Sequence, residues 1–127
     1  MVIITGTSKG IGKAIAENYL ALGEQVMGIG RNHTISDSNY TALVCDLSKP
    51  EDVEQIAFPD FGEEPVIFIH NAGILGQVDY FEKLASDELA RVMQVNLFAG
   101  AAILQQLLKQ LPKTHAFTSI FISSGAG

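Results

Sequence analysis

The segment Thr5-Gly6-Thr7-Ser8-Lys9-Gly10-Ile11-Gly12 limits what this chain can become more than any other stretch. Before it stands Val2-Ile3-Ile4-Thr5, a short apolar run that reads as a strand buried on both faces. After it, Gly10 to Leu22 carries Ile11, Ala14, Ile15, Ala16, Tyr19, Leu20 and Leu22 at helical spacing, and Gly23 suits a C-terminal cap. A glycine-rich loop between a strand and a helix has a definite physical use. Gly6 permits the tight turn out of the strand, Gly10 keeps a Cβ away from an approaching pyrophosphate, and Gly12 lets the helix pack close to the sheet. The helix N-terminus then presents unpaired N–H groups and a partial positive charge to an anion. An ordinary glycine-rich turn is the other reading of the loop taken alone; its place between strand and helix favours the phosphate site.

Further along, Gln25–Ile29 and Thr41–Cys45 read as strands separated by a polar loop from Arg31 to Tyr40. Pro50-Glu51-Asp52 opens a short helix ending near Ala57, and Val66–His70 is a fourth, strongly apolar strand. A long helix is expected from Ser86, as N-cap with an acidic first turn, to Leu111, where Pro112 stops it. This helix is apolar nearly all round, so more than one of its sides must be covered. Ser119–Ser123 is a fifth strand. The alternation predicts a parallel sheet with helices on both faces. Right-handed crossovers and a reversal after strand one give the order 3-2-1-4-5.

The glycine spacing resembles the TGxxxGxG signature of the short-chain dehydrogenase/reductase family, and other marks of that family follow in its order. Cys45-Asp46-Leu47 is similar to the acidic position after strand three, Asn71-Ala72-Gly73 to the NAG motif after strand four, and Val95-Asn96 to the segment bearing the family's catalytic asparagine. Ile122-Ser123-Ser124-Gly125-Ala126-Gly127 is similar to the segment carrying the catalytic serine; the alignment points to Ser124, with Ser123 as the other choice. The short link from Arg31 to Asp46 and the ending Ser-Ser-Gly-Ala are similar to compact sepiapterin- or benzil-reductase-like members.

The resemblance covers the whole chain and implies a Rossmann-type, doubly wound α/β domain over residues 1–127, incomplete after strand five. It implies hydride transfer between NADP(H) or NAD(H) and a small carbonyl or alcohol substrate. Gly6, Thr7, Ser8, Lys9, Gly10, Ile11, Gly12, Arg31, Asp46, Leu47, Asn71, Ala72 and Gly73 would bind the cofactor, with Asp46 receiving the adenine amino group. Asn71 reads equally well as a structural tie between strands. Ser124 would orient the substrate oxygen and Asn96 would help position water. Lys9 and Arg31 suit a 2′-phosphate, and Gly30 stands where NAD-specific members place an acid, so NADP(H) is the expected partner. Family members pair the helix corresponding to 86–111 with its copy, which implies a homo-oligomer.

The family's chemistry also uses a Tyr-x-x-x-Lys pair, in which the lysine lowers the pKa of a phenol otherwise near 10. Tyr19 is followed four residues on by Gly23, Tyr40 by Val44 and Tyr80 by Leu84, so this sequence holds no such pair. The resemblance therefore implies an N-terminal, cofactor-binding half, or else a binding module without turnover.

Net charge −6 with 8 Lys and Arg argues against nucleic acid, which needs clustered cations. A single cysteine, Cys45, excludes an internal disulfide, no apolar run is a membrane span, and strand-like sequence from Val2 leaves no room for a signal peptide. The expectation is a soluble, cytoplasmic chain. Cys45 reads as a small buried hydrophobe, and His70 as a strand residue near the cleft. With His33 and His115 too dispersed for a metal site, no metal is expected.

Overall fold

A computed structural model describes residues 1–124. Five strands, β1 (Val2–Thr5), β2 (Val26–Gly30), β3 (Tyr40–Val44), β4 (Val66–His70) and β5 (Phe117–Phe121), form one parallel sheet in the order β3-β2-β1-β4-β5. This is the expected doubly wound arrangement. α1 (Gly10–Ala21) packs on one face, against Val2, Ile4, Val26 and Ile69. On the other face lie α2 (Pro50–Glu54), α3 (Ser86–Met93) and α4 (Ala99–Gln110), over a core that includes Ile3, Ile29, Phe68, Ile103 and Leu107. Alternate residues of β1 therefore serve opposite helical layers, and both faces are fully buried, as its unbroken apolar run requires.

Several boundaries differ from those the sequence suggests. β2 and β3 are Val26–Gly30 and Tyr40–Val44, because Val26 pairs with Tyr40 and Gly30 with Val44. The ladder extends one step further, with Cys45 N donating to Gly30 O at 3.1 Å. β5 starts two residues early, at Phe117, which pairs with Val66. α2 stops at Glu54, short of Ala57; the chain then enters the stretch before Pro59, where helical backbone is disfavoured.

The helix expected over 86–111 is not continuous. α3 and α4 are joined by a π-helical turn, Gln94–Phe98. Ser86 is inside α3 and is not its cap; Ala85 holds the N-cap position in extended conformation, and no side chain caps it. The apolar girth of this region is divided as its composition demands. Val95, Ala99, Ile103 and Leu107 are buried against the sheet, whereas Met93, Leu97, Phe98 and Leu108 are exposed.

Candidate functional site

β1 ends at Thr5, and the chain turns sharply at Gly6 (φ +75°) into the loop that leads to α1. Connections from β1 go to one face of the sheet and those from β4 to the other, so the strand ends part here and leave a crevice. A cleft of about 310 Å³ occupies that position. Gly6 and Asn71-Ala72-Gly73 line it beside β1 and β4, and Ser8 and Lys9 line it from the glycine loop. Gly30-Arg31-Asn32 and Cys45 to Ser48 contribute from the ends of β2 and β3, with Ile74, Arg91 and Val95 from the remaining side.

The three loop glycines have separate reasons. Gly6 and Gly10 (φ +61°) adopt left-handed backbone that side chains disfavour. A Cβ on Gly10 would meet open space, so its requirement here is conformational. A Cβ on Gly12 would strike the Gly6 carbonyl and the Asn71 amide, so Gly12 sets how closely α1 approaches β1. Thr7 is buried and its hydroxyl bonds Tyr40 Oη at 2.7 Å, which turns it into the protein. Ile11 is exposed. Thr7, Gly10, Ile11 and Gly12 therefore shape the loop without lining the cleft, whereas Gly6, Ser8, Lys9, Arg31, Asp46, Leu47, Asn71, Ala72 and Gly73 line it.

Asp46 Oδ1 accepts from Ser48 N at 3.0 Å and from Ser48 Oγ at 2.7 Å. These bonds, more than the nearby Arg31 and Lys49, hold the carboxyl below its ordinary pKa and keep it ionised. Cys45 is buried, and burial, with help from Asp52 and Asp46, pushes its thiol up to about 11. Such a thiol is inert, in line with a packing role. Asn71 Nδ2 donates to Thr5 O at 3.3 Å and Gly6 O at 3.0 Å. Its side chain is thus a tie between β4 and the first turn of the glycine loop, while the residue also borders the cleft.

His70 is buried at the end of β4, and its hydrogen bonds have one consistent direction. Nε2 faces Asn96 O at 3.1 Å and must donate, so Nδ1 accepts from Thr5 Oγ1 at 2.9 Å. Thr5 Oγ1 in turn accepts from Asn71 N and Ala72 N, both at 3.0 Å. Burial holds the His70 pKa below the usual imidazole value despite the favourable carbonyl of Asn96, so the ring is neutral. Gly100 of α4 lies against this ring, where a Cβ would come within 2.5 Å of it. The chain of bonds runs from the NAG segment through β1 and β4 to the π turn. At that turn Asn96 commits both side-chain polar atoms to one residue: Oδ1 accepts from Ile74 N at 2.8 Å and Nδ2 donates to Ile74 O at 3.0 Å. Asn96 therefore clamps the segment after the NAG motif and is not part of the cleft lining. Ser124 is exposed beyond the end of β5, also outside the lining; Gly125, Ala126 and Gly127 of the same segment lie outside the described residues.

The sequence model of the short chain dehydrogenases matches residues 1–127. The chain belongs to the short chain dehydrogenase family. A benzil reductase ((S)-benzoin forming) of Bacillus subtilis is 31% identical over 134 residues, spanning 99% of this chain and 55% of that protein. An NADPH-dependent pterin aldehyde reductase of Arabidopsis thaliana is 27% identical over 138 residues, spanning 99% of this chain and 57% of that protein. Among solved structures, a short-chain dehydrogenase/reductase from Burkholderia vietnamiensis superposes with a TM-score of 0.88 at 23% identity, over 98% of this chain and 65% of that one. This chain spans about half the length of the curated relatives it matches.

Several residues of the cleft wall escaped sequence reasoning. Asn32, Ser48, Ile74 and Arg91 enter the cleft wall through tertiary placement, and Arg91 is held there by a two-point ion pair with Glu88, at 3.0 and 3.1 Å. Gly28 carried a signal: a glycine inside a strand marks a close approach, and Tyr40 Oη occupies the place of its Cβ. Among the described residues no group of three or more His, Cys, Asp or Glu could hold a metal, and no helix is long and apolar enough to cross a membrane.

Proposed function

We propose that this chain is the nucleotide-binding portion of a cytoplasmic oxidoreductase that moves hydride between NADP(H) and a small carbonyl or alcohol substrate. Residues 1–127 are read as one dinucleotide-binding domain. The cleft fits a dinucleotide on its own features: a left-handed Gly6, an α1 N-terminus brought close by Gly12, and an ionised Asp46 across the cleft. Bound there, the nicotinamide group supplies the hydride chemistry. The backbone at Ser8 and Lys9, with the positive end of α1 behind it, would hold the pyrophosphate. Asp46 would accept from the adenine amino group, and Asn71-Ala72-Gly73 would border the ribose nearest β4. Ser124 would hold the substrate oxygen. Asn96 would act as a positioning residue, by fixing Ile74.

The preference for NADP(H) rests on one observation. Gly30 offers no carboxylate at the end of β2, and Arg31 with Asn32 stands in the cleft wall across from Ser8 and Lys9. A guanidinium there suits a 2′-phosphate and gives a 2′-hydroxyl little. A charge-assisted bond of about 1.5–3 kcal/mol corresponds to roughly ten- to a hundredfold in affinity. Titration of the chain with NADP+ and NAD+ tests this. NADP+ should bind at least tenfold more tightly, and Arg31→Ala should remove most of that difference while leaving NAD+ binding nearly unchanged. Equal affinity for the two dinucleotides would refute the preference.

A further inference from the structure

The Arg31–Asn39 segment leaves β2 at Gly30 and returns to β3 at Tyr40 with no helix or strand of its own. Ile35 packs against the core beneath α1, and polar side chains hold the part of the segment nearer Arg31. His33 is half-buried, and its Nε2 faces two carbonyls, Gly30 O at 3.1 Å and Leu43 O at 3.2 Å. That nitrogen therefore carries the proton, and Nδ1 accepts from Tyr40 Oη at 2.7 Å. Tyr40 Oη, having donated its proton, accepts from Thr7 Oγ1 at 2.7 Å. Tyr40 reaches this point from the start of β3 by lying over Gly28, where any Cβ would overlap its hydroxyl. One residue beyond His33, Thr34 Oγ1 donates to Ser8 O at 2.9 Å. The segment bearing Arg31 is thus tied to β2, to β3 and to the glycine loop, directly through Thr34 and indirectly through Tyr40.

We propose that His33, supported by Tyr40 and Thr34, is a specificity-determining positioning residue, which holds Arg31 and Asn32 against Ser8 and Lys9 as a preset pocket for the 2′-phosphate of NADP(H). The inference rests on the NADP(H) reading above and deepens it. Preorganisation is the physical content. A loop already held in place does not lose its freedom when the phosphate arrives, and ordering even one or two side chains on binding weakens affinity by a few fold. His33 itself bonds none of the groups assigned to the adenine or to the pyrophosphate, so its loss should be felt by the 2′-phosphate above all.

The test is calorimetric titration of the chain and its variants with NADP+ and with NAD+. His33→Ala should weaken NADP+ by about three- to tenfold and change NAD+ by less than about twofold. Thr34→Val should act in the same direction. If His33 works through Arg31, the losses will not add: His33→Ala combined with Arg31→Ala should bind NADP+ no worse than Arg31→Ala alone. Tyr40→Phe keeps the ring over Gly28 and removes only the hydroxyl, so it repeats the measurement should His33→Ala fail to fold. A wild-type chain that holds NAD+ as tightly as NADP+ overturns the cofactor reading and the brace with it. A wild-type preference for NADP+ that His33→Ala and Tyr40→Phe both leave intact overturns the brace alone. So does a loss shared equally by both dinucleotides, or strict additivity with Arg31→Ala.

Discussion

Gly12 and His70 each show how one residue type answers a demand made by its neighbours. A methyl group at Gly12 would meet the Gly6 carbonyl and the Asn71 amide, backbone and a tethered side chain that cannot simply rotate away. Gly12→Ala should destabilise the fold by about 1–3 kcal/mol, the usual cost of overpacking, and weaken both dinucleotides by shifting the start of α1. Urea denaturation and titration check the two effects; unchanged stability would mean that α1 can move aside without cost. His70 makes a pH-dependent contribution whose sign follows from its depressed pKa. The unfolded imidazole titrates near the ordinary value of about 6.5, and the folded one below it. Between the two, the unfolded state binds more protons, so stability rises with pH there. The contribution is fully present above about pH 6.5 and falls as acid charges the unfolded ring first. Its ring neighbours Phe68 and Phe121 and its partners Thr5 and Asn96 are neutral, so nothing beside it compensates a proton. The wild type should lose more stability between pH 7.5 and 5.5 than His70→Asn, by chemical denaturation; parallel losses would show that the ring does not titrate in this way. The glycines and the NAG segment were legible because conformational need and close packing leave few residue types acceptable. The neutral role of His70 was not, since it depends on a π turn 26 residues away in sequence.

At the scale of elements, the helical segment from Ser86 to Gln110 carries two apolar faces with one sheet to lie on. Val95, Ala99, Ile103 and Leu107 take the sheet, and Met93, Leu97, Phe98 and Leu108 are left facing outward. Exposed apolar stripes of this kind mark association surfaces. The chain should self-associate through this face, and Leu97→Glu with Phe98→Glu should return it to monomer in analytical sedimentation. A wild-type chain that sediments as a monomer at every soluble concentration would refute the pairing. Element identity was readable because the periods differ: VIIT and VIFIH are apolar at consecutive positions, whereas Gly10–Leu22 repeats at helical spacing. Element ends were less readable. Strand limits depend on register, and register depends on which residue faces which, as when Val26 meets Tyr40 and carries β2 through to Gly30. The division of the long helix was invisible for a related reason. Gln94–Phe98 has ordinary helix-forming chemistry; the wide turn accompanies the bond from His70 to the Asn96 carbonyl and the double bond from Asn96 to Ile74, both of which come from elsewhere in the fold.

For the molecule as a whole, the decisive question is whether the chain, once it holds the proposed dinucleotide, can also turn it over. Carbonyl reduction needs a hydride, an oriented substrate and a proton for the developing alkoxide. The cleft provides for the first through whatever dinucleotide it holds, and Ser124 is a candidate for the second. None of the buried or half-buried ionisable side chains beside the cleft suits the third. Cys45 is shut away with a thiol pushed up to about 11, His70 is spent on Thr5 and Asn96, and Tyr40, whose pKa burial raises, is locked between Thr7 and His33. The sequence contains no tyrosine with a lysine four residues on. General acid–base assistance is worth about 10²–10⁴ in rate, and its loss should be compounded by the exposure of β5, where Ile120, Phe121 and Ile122 remain accessible and the sheet edge has no further strand among the described residues. An open edge of this kind is exposed to water and invites pairing with another chain. The expected outcome is therefore cofactor binding without useful turnover. NADPH oxidation, followed by the absorbance of the reduced nicotinamide with a panel of aldehydes and ketones, should stay at the rate without protein. Ser124→Ala should be indistinguishable from wild type in that assay. Turnover that Ser124→Ala abolishes would instead mean that a proton donor operates in this chain, and it would have to be sought first among the groups bordering the cleft, Lys9 and Ser8 foremost.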